Sequence, residues 1–95
     1  MLTDDVRNAI RADPDPDLDI EIEDLIGAAK ADLELSGVNK DKIKDDDPLI
    51  KRAIVVYCKA HFGYEDPNLS DRFAESYESL KYHLTLSNEY GDWHD

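Results

Sequence analysis

Cys58 is the only cysteine in the chain, which excludes an intrachain disulfide framework and a four-cysteine zinc site. Basic residues are also scarce, 11 against 23 acidic ones for a net charge of -12. Gripping a phosphate backbone depends on Lys and Arg displacing counterions, so nucleic-acid binding is not expected. The longest apolar run is the short Ala53 to Cys58, far below the roughly 18 residues that a bilayer span needs. No basic segment with an apolar stretch follows Met1, so a secretory leader is not expected and a reducing cytoplasm is. The sequence also lacks a glycine-rich phosphate loop, a nucleophile elbow, and a histidine with a neighbouring acid and nucleophile. Those absences remove the usual sequence signatures of catalysis.

Ninety-five residues make one domain, which at this size has a modest core and gains from partners. Its charge is uneven. Residues 1–47 hold 15 acidic and 6 basic side chains, residues 48–95 hold 8 and 5, so the first half is the more strongly solvated. Thr3 can cap a short first helix with Val6 and Ile10 on its apolar edge. Pro14 and Pro16 force that helix to end by about Ala12 and make residues 13–17 an acidic hinge. Asp17 can cap a second helix in which Ile22, Leu25, Ile26, Ala29 and Leu33 recur at three-and-four spacing. Gly37 supplies a left-handed stop, with Val38 placed to meet Leu33. Asn39 to Asp46 reads as a mobile charged loop.

Asp47-Pro48 opens a third helix, a capping side chain followed by proline at the first helical position. Its apolar residues cover most of its circumference as far as Phe62, so it should be the central, most buried element. After Gly63 and a turn at Asp66-Pro67-Asn68, Ser70 can cap a fourth helix carrying Phe73, Tyr77, Leu80 and Leu84 on one face. The third and fourth helices should pack antiparallel. Residues 88–95 lack periodicity and read as a loose tail. The expected fold is therefore all-α: a small bundle of about four helices, a short first one and three amphipathic ones, with residues 18–87 as its core.

Several constellations carry functional alternatives. Asp13, Asp15, Asp17, Asp19, Glu21 and Asp24 fall at the spacing of a calcium-binding EF-hand loop. Leu18 replaces the turn glycine, prolines hold two positions, and Asp24 replaces the bidentate glutamate, so the expected state is a solvated hinge. Cys58 and His61 share a helix face, but without further ligands Cys58 is expected as a small buried hydrophobe. Tyr57, Phe73, Tyr77 and Tyr82 are expected in the core. Lys51, Arg52 and Lys59 form a basic stripe suited to an acidic face of another subunit. Tyr90 and Trp93 have no evident intrachain partner and suit anchoring in another protein's pocket. No catalytic, cofactor or metal residue is assigned.

The acidic helix ending at LELSG, the segment DDPLIKRAIVVYCKAHFGYEDP and the helix RFAESYESLKYHLTLS together resemble the head-to-tail connector, or DNA-packaging adaptor, proteins of tailed phages and prophages. The likeness spans Leu18 to Leu86 and rests on the pattern D-x-x-[LI]-[KR]-x-A-[IV], matched from Asp47 to Ile54. Where many relatives place Trp or Tyr and then a charge after that helix, this chain has His61-Phe62-Gly63-Tyr64-Glu65. The resemblance implies a structural protein and not an enzyme, a homo-oligomeric ring on the portal protein that receives the next neck protein and lets DNA pass without specific binding. It implies a place in the virion neck, after assembly in the host cytoplasm. Two other classes remain open on the residues alone: an acidic DNA mimic that blocks a nucleic-acid-binding host protein, and a calcium-binding regulatory module.

Overall fold

Apolar residues at four-residue intervals draw even the shortest helix into the interior. The computed structural model describes residues 2–10, 16–62 and 67–91. In it α1 spans Leu2–Ile10, α2 Pro16–Leu35, α3 Pro48–His61 and α4 Pro67–Leu86. Leu2, Val6 and Ile10 of α1 are all buried. Burial of Leu2 explains why α1 begins before Thr3, which lies inside the helix and not at its cap.

The all-helical bundle expected from the sequence is present, with α3 at its centre, packed against each of the other helices. Ile50, Ala53, Ile54 and Cys58 of α3 meet Ile22, Ala29 and Leu33 of α2 in one continuous core. The antiparallel arrangement of α3 and α4 follows from cross-helix neighbours: Lys59 lies over Phe73, Tyr57 against Tyr77, and Leu49 lines a common cleft with Leu84.

Helix ends follow local chemistry. α2 stops at a Schellman motif, with Val38 N–H donating to the Leu33 carbonyl at 3.0 Å and Gly37 N–H to that of Glu34 at 3.2 Å. Gly37 has φ 113°, where a side chain would be strained. α4 begins three residues before Ser70, at Pro67, because a proline in the first turn removes only an N–H that the helix does not use. Gly63, Asp66 and the hinge aspartates Asp13 and Asp15 lie outside the described residues.

The charged segment after α2 contains a 3-10 turn, Lys40–Lys42, capped by Asn39. The last described residues close over it. Ser87 Oγ accepts from Glu89 N–H, Asn39 N–H donates to the Tyr90 carbonyl at 2.8 Å, and Val38 and Gly91 form a single antiparallel bridge. Tyr90, for which the sequence offered no intrachain partner, is 7% exposed and donates its hydroxyl to the Asp47 carboxylate at 3.0 Å. This corrects its reading as an aromatic of a loose arm. Trp93 lies outside the described residues.

Asp47 thus does two jobs, accepting from Leu49 and Ile50 N–H at the start of α3 and from Tyr90. Burial pushes its carboxyl upward, but the bonds from Ile50, Tyr90 and Leu49 outweigh that and hold it below the usual carboxylate range. A depressed acid stabilises the fold at neutral pH and loses that contribution as pH falls through the folded value, below about 4. Asp47→Ala is expected to lower unfolding free energy by about 1–2 kcal/mol at pH 7, measured by urea denaturation. Tyr90→Phe, which leaves the cap in place, should cost less; the reverse order would mean that the clasp outweighs the cap.

Candidate functional site

Successive helical residues are turned by about 100°, so α3 has a second face opposite Ile50, Ile54 and Cys58. Arg52, Val55, Val56 and Lys59 occupy it and line an open groove with Phe73, Ser76, Ser79 and Leu80 of α4. Val55, Val56, Phe73 and Leu80 are half-buried, giving an apolar floor, while Arg52 is exposed at the rim. The Lys59 ammonium sits 5.0 Å from the centroid of the Phe73 ring, an arrangement that holds a cation over an aromatic face. Arg72 is exposed one turn before Ser76 on the same side of α4.

Lys51 leaves this group. It faces the N-terminal helix, where its ammonium pairs with Asp5 at 3.2 Å in a cleft also lined by Glu23, Asp45 and Asp46. The sequence put Lys51, Arg52 and Lys59 in one stripe; the structure divides them between two sides of α3. Arg7, Lys30 and Lys81 are likewise engaged within the chain, by Asp19, Asp45 and Asp32 respectively. The bond from Asp19, followed by that from Asp4, raises the Arg7 guanidinium pKa further. The groove cations Arg52 and Lys59 enter none of the ion pairs found among the described residues, and Arg72 lies in a neighbouring cleft with Asp71 and Glu75.

A second surface lies on α2. Its exposed residues include Ile20, Asp24, Gly27, Ala28, Ala31 and Leu35, a continuous stripe facing away from buried Ile22, Ile26, Ala29 and Leu33. Leu35 is 88% exposed and Ile20 61%, values that mark uncovered apolar surface on an otherwise acidic helix. Near the end of the same helix, Ser36 shares a shallow cleft with Tyr82 and Thr85 of α4. Tyr82 is exposed, which corrects its expected place in the core. Phe73, Tyr77, Leu80 and Leu84 follow the inward repeat, whereas Tyr82 falls on the opposite side of the helix.

The titratable groups are arranged for packing. Burial pushes the Cys58 thiol up to about 12, so it stays protonated and poorly nucleophilic at neutral pH. His61 is exposed, with its ring 4.3 Å from that of Tyr57, whereas Cys58 is buried in the core. Of the EF-hand positions, Asp17, Asp19, Glu21 and Asp24 are on α2, where helical spacing sets Asp17, Glu21 and Asp24 along one outer face and Asp19 on another, so they do not converge on one point as a calcium loop's ligands do. Asp19 is taken by Arg7. Among the described residues, no group of three or more His, Cys, Asp or Glu side chains could hold a metal ion. No described helix is long and apolar enough to cross a membrane.

The described surface thus presents a cationic apolar groove and uncovered apolar side chains on another helix, features of the kind that mark contact surfaces. No curated protein and no solved structure matches the sequence. The family model described as phage connector protein matches residues 1–91, covering every described element from α1 to the Val38–Gly91 bridge, and the chain belongs to that phage connector family.

Proposed function

We propose that the protein is a structural adaptor of a tailed-phage neck, whose copies form a ring that docks on the portal protein and joins the DNA-filled head to the tail. The observation that carries this reading is the family match over residues 1–91, which takes in the whole helical bundle. The two outward surfaces support it, because a ring subunit needs contact area on two sides. The ring also presents a platform for the next neck protein and acts in head completion and retention of packaged DNA. It works through surfaces and needs no cofactor.

The net charge of -12 suits a channel-forming part, since carboxylates repel DNA phosphates and let the duplex pass without adhering. The charged segment Asn39 to Asp46, exposed along most of its length, faces the channel or the portal in this arrangement. The test is to mix the purified chain with the portal ring of the same phage or prophage and determine mass and symmetry by native mass spectrometry and electron microscopy. A stoichiometric ring on the portal is expected. Absence of association at micromolar protein and moderate salt would sink the adaptor reading, and tight, DNA-competed binding to a host nuclease or repressor would put the acidic mimic in its place.

A further inference from the structure

A ring built from subunits this acidic brings like charges together at every seam, so each seam needs local complementarity to offset the repulsion. The protomer carries such a pair on opposite sides of α3. Toward one side lie α1 and α2, against buried Ile50, Ala53 and Ile54. On the other side the groove between α3 and α4 opens, with Arg52 and Lys59 along an apolar floor of Val55, Val56 and Leu80. The outer stripe of α2 bears uncovered Ile20 and Leu35 at its ends, small Gly27 and Ala31 between them, and Glu21 and Asp24 beside them, all exposed. An added Cβ at Gly27 would meet nothing within 4 Å, so another helix can approach the backbone there.

We propose that the groove between α3 and α4 is the seat for the outer face of α2 from a second copy of this chain, with Arg52 and Lys59 set against the neighbour's Glu21 and Asp24. The contact is heterologous: each copy offers its groove to one neighbour and its α2 stripe to the other, the arrangement that closes into a ring when the rotation permits. From Arg52 to Lys59 the groove runs about 10 Å, at about 1.5 Å per residue, enough to take two turns of the incoming helix. Apolar contact at Ile20 and close backbone approach at Gly27, about 10 Å further along the helix, supply the attraction, and the charges set the register. The inference rests on the ring reading above and specifies its seam.

Charge exchange tests it. Arg52→Glu with Lys59→Glu makes one variant, and Glu21→Lys with Asp24→Lys makes the other; all four side chains lie outside the core. On the portal, each variant alone should lose ring occupancy by about tenfold or more at fixed concentration. An equimolar mixture should recover it, because every seam then joins an acidic groove to a basic stripe or the reverse. If wild type forms the ring and both variants do so equally well, the seam is elsewhere while the adaptor reading stands. If wild type fails to associate with the portal, the adaptor reading fails by itself. Sedimentation of the mixed variants without portal then decides the seam: heavier species than either variant gives alone uphold it, and their absence at about 100-fold the micromolar range overturns it. Circular dichroism of each variant establishes that the bundle is folded.

Discussion

Ile54→Ala is expected to lower unfolding free energy by about 2–5 kcal/mol, a large share of the roughly 5–15 kcal/mol available to a domain of this kind. Ile54 is fully buried and stands midway along α3, the helix that contacts the other three. Removing its outer carbons forfeits their transfer out of water and leaves a hole that the surrounding helices close only in part. Ile20→Ala is the matched control. That side chain is 61% exposed, so its loss should change stability by no more than about 0.5 kcal/mol. Urea melts followed by circular dichroism check both, with an unchanged slope expected if unfolding stays two-state. Equal effects for the two substitutions would mean that α3 is not the central element.

That α3 is central was legible in the sequence, since an Asp-Pro start leads into residues apolar on most sides. The same local grammar gave the end of α2, where the glycine and the following valine meet their expected hydrogen-bond partners. It misplaced the start of α4. Asp66-Pro67 repeats the dipeptide that opens α3, yet the turn propensity of Asp-Pro-Asn and the capping ability of Ser70 competed with it. A proline that fits a turn fits the first turn of a helix equally well, and only packing decides between them.

The surfaces were less legible for a reason of range. Helical phase alone sets Lys51 about 100° from Arg52, and what it meets there, Asp5, is more than forty positions away in the chain. Tyr90 has no periodic neighbours, and its acceptor Asp47 is 43 residues distant. Periodicity reports what one helix shows to an average core and does not report pairings of that kind. The exposed stripe of α2 did leave a trace. Ile20, Ala28, Ala31 and Leu35 are apolar positions beyond those the inward repeat accounts for, and a helix apolar on two sides is one that expects a second partner.

Tyr77 is the point at which three helices are fastened, and Tyr77→Ala should cost about 3–5 kcal/mol. Its ring, 3% exposed, meets Tyr57 of α3 edge-on with centroids 5.0 Å apart. Its hydroxyl donates to Asp32 of α2 at 2.6 Å, and Lys81 donates to the same carboxylate oxygen at 3.1 Å. Tyr77→Phe keeps the ring and removes that bond alone, with an expected cost of about 1 kcal/mol. The pH dependence separates the two contributions further. Burial, then the bond to Asp32, raises the Tyr77 hydroxyl well above the ordinary tyrosine value. A raised group contributes fully below its unfolded pKa, near 10, and loses that contribution as pH rises toward the folded value. Burial also pushes Asp32 upward, but the bonds from Tyr77 and Lys81 prevail and leave it depressed, so its contribution is lost as pH falls below about 4. Tyr77→Phe should therefore be less stable than wild type at pH 7 and lose less of what remains at both extremes. Burial likewise raises Tyr57, and the bond to Asp47 raises Tyr90, so alkaline loss is reduced and not abolished. Stability curves for wild type and Tyr77→Phe that run parallel across the whole pH range would show that the bond to Asp32 does not hold α2 against α4.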